Sequence, residues 1–261
     1  MERIAFIIGE TFIYWSSIIL VFAAVTAVCI FLALYIGKSR NILGAALTVP
    51  MALVLSMVLS RLVHWYCCAD AYESMEAAMT DYLSGGYALM GVFLGCFLSA
   101  VLLRLVCFHR NLPEMLDCMA IAGCAGIAVG RLASLFNASD RGNVVSFENL
   151  PFAYPVTNAV SGALEYRLAT FVLQSMVALL LFAGLSAYYL SKDPKGRRKD
   201  GDTALIFLLI YGASQVVLDS TRYDSLFFRS NGFVSVVQVL GALGLGLAIF
   251  LFSRRMVKAW G

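Results

Sequence analysis

The sequence predicts an all-α integral membrane protein of about seven transmembrane helices, and three observations support this. Hydrophobic residues fill 61% of the 261 positions and charged residues only 13%, whereas a soluble domain carries about 25% charged residues. The mean hydropathy is +0.84. Apolar runs of about 20 residues, the length that crosses a bilayer core, recur along the whole chain.

Seven runs are long enough to be predicted membrane spans. They are residues 13–36, 42–67, 87–108, 115–136, 168–190, 203–218 and 232–252. The first run is too long for the apolar region of a removable signal peptide. Because little sequence remains between the runs, we expect a single polytopic membrane domain over residues 1–261.

The basic residues predict how the spans are oriented. Twelve of the nineteen Lys and Arg residues lie at the ends of the first, third, fifth and seventh spans, which share one side of the membrane if the spans alternate. An excess of Lys and Arg marks the cytoplasmic side. We therefore expect the N-terminus outside and the C-terminus in the cytoplasm. The net charge of +3 reflects this asymmetry, and we predict no nucleic-acid partner.

A few charged residues fall within or beside the spans, where each costs about 2.5–3.5 kcal/mol at a helix centre. Arg131 follows a run of small residues, so we expect its guanidinium inside the bundle, where its donors would match a lipid phosphate. Asp219 and Arg222 share one helix face, either as part of a ligand site or as a simple ion pair. Arg61 and His64 lie in the second span, where a structural role is the alternative to a functional one.

Several short motifs resemble those of the bacterial prolipoprotein diacylglyceryl transferases. The stretches concerned are 130–137 with Gly142, 211–212 with 219–226, 234–240 and 85–86. Residues 130–137 read G-R-L-A-S-L-F-N, similar to the family's G-R-x-G-N-F-x-N. Their collinear order extends the resemblance over nearly the whole chain. The resemblance implies seven helices with the N-terminus outside, the topology that the charges predict independently.

The resemblance also implies an activity, transfer of the diacylglyceryl group of phosphatidylglycerol to the lipobox cysteine of a lipoprotein precursor. The partners would be membrane lipids and the precursor's signal segment, the location a bacterial plasma membrane, and no cofactor or metal is expected. Arg131 would stabilise the departing phosphate. The thiol must lose its proton, to His64, to Asp140, or through the field of the arginines alone. The implied substrate-binding residues are Asn137, Gly142, Tyr211, Asp219 and Arg222.

The chain departs from the family pattern at positions where the family places polar residues. Met90 stands for the histidine of G-G-x-x-x-H, Ser134 for the asparagine of G-R-x-G-N, and Gln215 for the arginine of Y-G-x-x-R. The family's Tyr-Glu pair falls on Leu173-Gln174. We therefore predict slow transfer. Two alternatives remain, a non-catalytic member that binds phospholipid or signal segments, and a transporter, which the absence of a clear sequence repeat disfavours.

Overall fold

The computed structural model describes residues 4–9, 11–80, 86–106, 111–137, 141–146, 151–157, 162–191, 198–223, 225–228 and 231–260. Within these residues, seven helices are long and apolar enough to cross a membrane. They are α1 (Trp15–Ser39), α2 (Ile42–Cys67), α4 (Leu89–Val106), α5 (Leu112–Gly130), α6 (Thr170–Leu190), α7 (Asp202–Asp219) and α8 (Val236–Trp260), with a short α3 (Met75–Thr80) after α2. The predicted helical membrane fold is confirmed, whereas the orientation of the termini stays a prediction.

Short antiparallel hairpins gather at one end of the bundle, which we call the hairpin end. In the described part of the chain they are β1 (Ile4–Ile8) with β2 (Thr11–Tyr14), β3 (Ala153–Thr157) with β4 (Leu164–Leu168), and β5 (Phe227–Phe228) with β6 (Asn231–Ser235). These hairpins were not predicted from the sequence. Strands of two to five residues are too short to give a clear alternation of apolar and polar residues.

Ring contacts show which helix ends meet at the hairpin end. Trp15, the first residue of α1, lies 6.1 Å from Phe136 beyond α5, measured between ring centroids. Tyr66, near the end of α2, lies 6.5 Å from Phe228 in β5. The start of α1 and the ends of α2 and α5 therefore lie at this end, together with the strands.

Glycines allow close packing within two of the main helix pairs, α2 with α4 and α7 with α8. A Cβ atom on Gly91 or Gly95 of α4 would overlap the α2 backbone at Ser60 or Ser56. A Cβ atom on Gly212 would lie 2.6 Å from the carbonyl oxygen of Gly241. Small residues at such contacts let backbones approach closely inside a bilayer, where the hydrophobic effect does not drive helices together.

Helix α5 forms the centre of the bundle and packs against α1, α4, α6 and α7. Most of its side chains are buried, including Met115, Cys118, Ile121 and Cys124. Large apolar side chains on the outer helices are exposed instead, as the lipid-facing surface of a membrane protein requires. The central position of α5 carries Arg131, the residue that follows its last turn, into the interior.

Candidate functional site

Arg131 opens a 3-10 turn, Arg131–Leu135, that continues α5 at the hairpin end. The residue is only 9% exposed, so its guanidinium lies among the packed helices. Asn137 follows the turn and is half-buried, and its backbone N–H donates to the carbonyl of Ala133 at 3.4 Å. A buried guanidinium is costly unless it meets an anion or acceptors, so Arg131 is a candidate for binding an anionic group.

Asp219 forms a small network where α7 meets α8. Nη1 of Arg222 donates to Oδ1 of Asp219 at 3.3 Å, and Oγ of Ser235 donates to Oδ2. Ser235 and Gln238 also bond reciprocally, since N–H of Gln238 donates to Oγ of Ser235 at 3.0 Å and N–H of Ser235 donates to Oε1 of Gln238 at 3.2 Å. This is a capping box at the start of α8. Asp219 and Arg222 therefore form an ion pair within this network.

Gly142 lies where two connections meet. It forms an antiparallel bridge with Arg222, and its N–H donates to the carbonyl of Leu168 at 2.9 Å. A Cβ atom on Gly142 would lie 2.6 Å from that carbonyl oxygen and 2.6 Å from Oγ1 of Thr170. The close approach of Leu168 and Thr170 therefore leaves no room for a side chain at Gly142, and a larger residue would require a shift of the neighbouring backbone.

Tyr211 lies two turns deeper than Asp219 on α7 and is buried. Its ring stacks on Phe207 at 5.1 Å between centroids and meets Phe93 of α4 edge-on at 5.5 Å. The three rings thus pack α7 against α4 in the interior of the bundle.

Arg61 and His64 belong to a cluster in the hairpin-end part of α2, which we call the Arg61 cluster (Arg61, His64, Tyr72, Gly86 and Tyr87). Arg61 is 2% exposed, and its Nη1 donates to the carbonyl of Gly86 at 3.2 Å. Its guanidinium carbon lies 5.8 Å and 5.1 Å from the ring centroids of Tyr72 and Tyr87. The hydroxyl of Tyr72 and Nδ1 of His64 share a hydrogen bond of 2.9 Å. The cluster clamps the segment that leads into α4, close to Met90.

Two contacts between helices fix the relative depths of α5, α6 and α7. Oγ of Ser175 donates to the carbonyl of Ala128 at 2.6 Å, and the hydroxyls of Thr170 and Thr221 lie 3.4 Å apart. At about 1.5 Å per helical residue, Gln174 lies about 6 Å farther from the hairpin end than Thr170. Gln215 lies about 9 Å farther from the hairpin end than Thr221. The two glutamines are therefore at nearly the same depth, within about 3 Å.

The same counting places Arg131 and the Arg61 cluster in this layer. Ala128 of α5 is level with Ser175 of α6, and Arg131 follows Ala128 by three residues. Arg131 is therefore about 3 Å closer to the hairpin end than Gln174. On the other side, Ser56 of α2 donates to the α4 backbone just before Phe93, and Phe93 meets Tyr211. Arg61 lies about 7.5 Å closer to the hairpin end than Ser56, and Gln215 lies about 6 Å closer to it than Tyr211. Polar residues that are far apart in sequence thus share one layer of the hairpin-end half.

Gln174 and Gln215 were not among the predicted site residues. Both are 0% exposed. The nitrogen and oxygen of each amide have no hydrogen-bond partner among the residues that the structure describes. Each unsatisfied buried group costs about 1–3 kcal/mol. The only sequence signal was their position, since both replace charged residues of the family pattern.

The predicted site residues fall into three groups. Gly142, Asp219 and Arg222 are joined directly, Arg131 and Asn137 lie at the end of α5, and His64 lies in the Arg61 cluster. Tyr211 is deeper on α7. Asp140 lies outside the described residues.

The profile of a known family, prolipoprotein diacylglyceryl transferase, matches residues 3–253, which is nearly the whole chain. The chain belongs to this family. The family predicted from the motifs is thereby confirmed, and the match includes the 3-10 turn of Arg131, the bridge at Gly142 and the start of α8.

Similar proteins include two from streptococci, both distant in sequence. One from Streptococcus sanguinis (strain SK36) is 26% identical over 98% of this chain and 97% of its own length. One from Streptococcus pyogenes serotype M3 is 27% identical over 99% of this chain and 97% of its own length. Both are named phosphatidylglycerol–prolipoprotein diacylglyceryl transferase. At this identity the chain is a divergent member of its family.

Proposed function

We propose that this protein transfers the diacylglyceryl group of phosphatidylglycerol to the lipobox cysteine of a lipoprotein precursor. Family membership and the names of the relatives support the reaction class. The observation that carries the proposal is Arg131, a buried guanidinium in the hairpin-end half of a membrane bundle. We place the protein in a bacterial plasma membrane, with the hairpin end and N-terminus outside and the C-terminus in the cytoplasm.

The reaction exchanges one bond for another at a glyceryl carbon. The cysteine thiolate attacks the carbon that carries the phosphate ester, so a C–S bond forms and the C–O bond breaks. The electron pair of the broken bond stays on the oxygen of the departing glycerol phosphate. The thiol proton passes to a base, because the thiolate is the nucleophile.

Arg131 is placed to stabilise the charge that builds on the departing phosphate. A guanidinium presents paired donors that match two phosphate oxygens, and its effect is larger in a site from which water is excluded. Arg222 has a different role in this proposal. It is already paired with Asp219 and bridged to Gly142, so it closes the headgroup pocket at the hairpin end, together with Asn137.

We propose His64 as the base that accepts the thiol proton. When Nδ1 carries the ring proton and donates it to the Tyr72 oxygen, Nε2 is free to accept a proton. The proposed alternative is Asp140. Rates of the variants His64→Gln and Asp140→Asn separate the two, because the loss of a general base typically costs about 10²–10⁴-fold, whereas the other variant should stay near the wild-type rate.

The orientation can be tested by thiol labelling in intact cells. A cysteine introduced at Thr157, an exposed residue at the hairpin end, should react with a membrane-impermeant reagent. A cysteine at Ser191, beyond the other end of α6, should react only after permeabilisation. The reverse pattern would overturn the proposed orientation.

The activity is tested by incubating the purified protein with phosphatidylglycerol and a lipobox peptide and weighing the peptide by mass spectrometry. We expect diacylglyceryl-modified peptide and released glycerol phosphate, formed slowly compared with a member that carries the full motifs. The matched variants are Arg131→Ala, which should reduce product formation by about 10²–10³-fold, and Thr48→Val, which changes a buried residue in the opposite half of α2 and should leave the rate near that of the wild type. Absence of product at stoichiometric protein and long times, with lipid still bound, would make the protein a non-catalytic lipid-binding member.

A further inference from the structure

Gln174 lies at the centre of the buried face of α6. Thr170, Gln174 and Ala178 follow one another at one-turn intervals, and all three are fully buried. Thr170 bonds to Thr221, and Ala178 belongs to the apolar core. Between them, the Gln174 amide has neither a polar partner among the described residues nor access to solvent.

Gln215 occupies the equivalent position on α7. Tyr211, Gln215 and Asp219 also follow at one-turn intervals and are all buried. Asp219 is bonded to Ser235 and Arg222, whereas the Gln215 amide has no partner within the described part of the chain. The two packed helices, α6 and α7, thus each present one spare amide in the same layer.

The chemistry of two amides narrows the class of ligand. Each glutamine offers two N–H donors and a carbonyl oxygen with two lone pairs. A phosphate can only accept hydrogen bonds from the nitrogens and would leave both carbonyl oxygens unsatisfied. A hydroxyl group both donates and accepts, so the group that satisfies this pair is a polyol rather than a further anion.

The charge pattern indicates that the two positions act together. The motifs that this chain resembles place a glutamate at the position of Gln174 and an arginine at that of Gln215, so this chain lacks one negative and one positive charge relative to them. The double change keeps the net charge of the layer. A single charged residue at either position would be buried without its counterpart, which is strongly unfavourable.

We propose that Gln174 and Gln215 form a neutral subsite that binds the hydroxyl groups of the donor lipid's headgroup, next to the phosphate held by Arg131. This deepens the proposed function and rests on it. The subsite makes this protein selective for phospholipids with a hydroxylated headgroup, while Arg131 supplies an attraction common to all phospholipids.

The first experiment compares two lipids with the same acyl chains, phosphatidylglycerol and phosphatidic acid, which lacks the headgroup glycerol. Affinities are measured by native mass spectrometry of the wild type, of Gln174→Met/Gln215→Met, and of Thr48→Val as a buried polar-to-apolar control. We expect the wild type and control to prefer phosphatidylglycerol, and the double variant to lose about tenfold in affinity for that lipid alone, as two lost hydrogen bonds imply. An unchanged preference in the double variant would overturn the subsite.

The double variant should fold, because methionine is close in size to glutamine and removes unsatisfied polar groups. If it does not, the single variants Gln174→Met and Gln215→Met carry the same measurement. Each should then weaken phosphatidylglycerol binding by about threefold to fivefold and leave phosphatidic acid binding unchanged. An equal loss of affinity for both lipids would show that the glutamines do not recognise the headgroup hydroxyls.

A second experiment tests whether the two positions are coupled. Gln174→Glu and Gln215→Arg should each weaken phosphatidylglycerol binding strongly, and the combined Gln174→Glu/Gln215→Arg variant should recover most of the loss. Additive effects would show that the two side chains do not share a site.

The transfer assay on the same samples separates this inference from the proposed function. If the wild type transfers the diacylglyceryl group but its lipid preference is unchanged in the glutamine variants, the subsite is refuted and the proposed function stands. If the lipid preference depends on the glutamines but no transfer occurs, the proposed function is refuted and the protein retains a lipid site that recognises headgroup hydroxyls.

Discussion

Two sets of buried polar groups, one at each end of the bundle, differ in whether their hydrogen bonds are satisfied within the protein. At the end opposite the hairpins, which we call the loop end, the carboxylate of Asp117 accepts backbone N–H groups of Gly201 and Ala204, each at 2.7 Å. In the hairpin-end half, the amides of Gln174 and Gln215 have no partner among the described residues. Polar groups satisfied inside the protein hold helices together, whereas spare ones are suited to a ligand.

Hydrogen bonds and ion pairs join the helices at the loop end. Asp117 of α5 caps the start of α7 from another helix, accepting from N–H groups that have no backbone partner within α7. Lys38 pairs with Asp200 at 2.9 Å, and Arg255 pairs with Asp202. These contacts tie α1, α5, α7 and α8 together below the proposed site.

The largest expected effect comes from substitutions of Arg131 in the hairpin-end half. Arg131→Ala should reduce diacylglyceryl transfer by about 10²–10³-fold, because a main source of charge stabilisation is removed. Arg131→Lys should weaken binding of phosphatidylglycerol, since a point charge does not reproduce two parallel bonds. Transfer rates and lipid affinity in detergent check both variants. Unchanged affinity in the folded lysine variant would refute the phosphate contact.

The next effect breaks the loop end. Asp117→Ala should destabilise the protein by about 2 kcal/mol, because two backbone N–H groups lose their acceptor. Asp117→Asn keeps one acceptor oxygen and should cost less. Thermal unfolding in detergent measures the difference. Normal stability combined with lost lipid selectivity would show that Asp117 belongs to the ligand site instead.

A smaller effect sharpens the account of the departures from the family pattern. Met90 is buried in the first turn of α4, after the segment that the Arg61 cluster clamps. Met90→His should leave the transfer rate equal or raise it modestly, because Ser134 and Gln215 still lack the family's amide and cation. The rate of product formation is the readout. A rise to the rate of a full-motif member would mean that the missing histidine alone limits turnover.

The smallest effect concerns the exposed part of the loop end. The side chains of Lys38 and Asp200 are 44% and 51% exposed, and exposed ion pairs contribute little. Lys38→Ala should change stability by about 0.5 kcal/mol or less, which thermal unfolding resolves against Asp117→Ala. A loss as large as that of Asp117→Ala would contradict the ranking.

The fold was largely predictable because hydropathy reports membrane spans directly. Residues 42–67 were predicted as a span, and α2 occupies Ile42–Cys67. The fourth span was predicted from residue 115, but α5 begins at Leu112. Pro113 and Glu114 interrupt the apolar run, although a proline in the first turn is compatible with a helix.

The site was only partly predictable because partners are a tertiary property. The small residues before Arg131 indicated a buried guanidinium, and Arg131 is buried. The capping role of Asp117 depends on the backbone of α7, 84 residues away, and no local pattern reveals it. A glutamine in an apolar helix, such as Gln174, gives no sign in the sequence of whether its amide is satisfied.

The most direct test of this comparison is the rise in unfolding temperature that phosphatidylglycerol causes in the wild type, Arg131→Ala and Asp117→Ala. A ligand that binds only the folded state raises its stability. We predict that Asp117→Ala unfolds at a lower temperature than the wild type but keeps the full lipid-induced rise, while Arg131→Ala unfolds near the wild-type temperature and loses the rise. The opposite assignment, with the lipid effect lost in Asp117→Ala and kept in Arg131→Ala, would contradict the account.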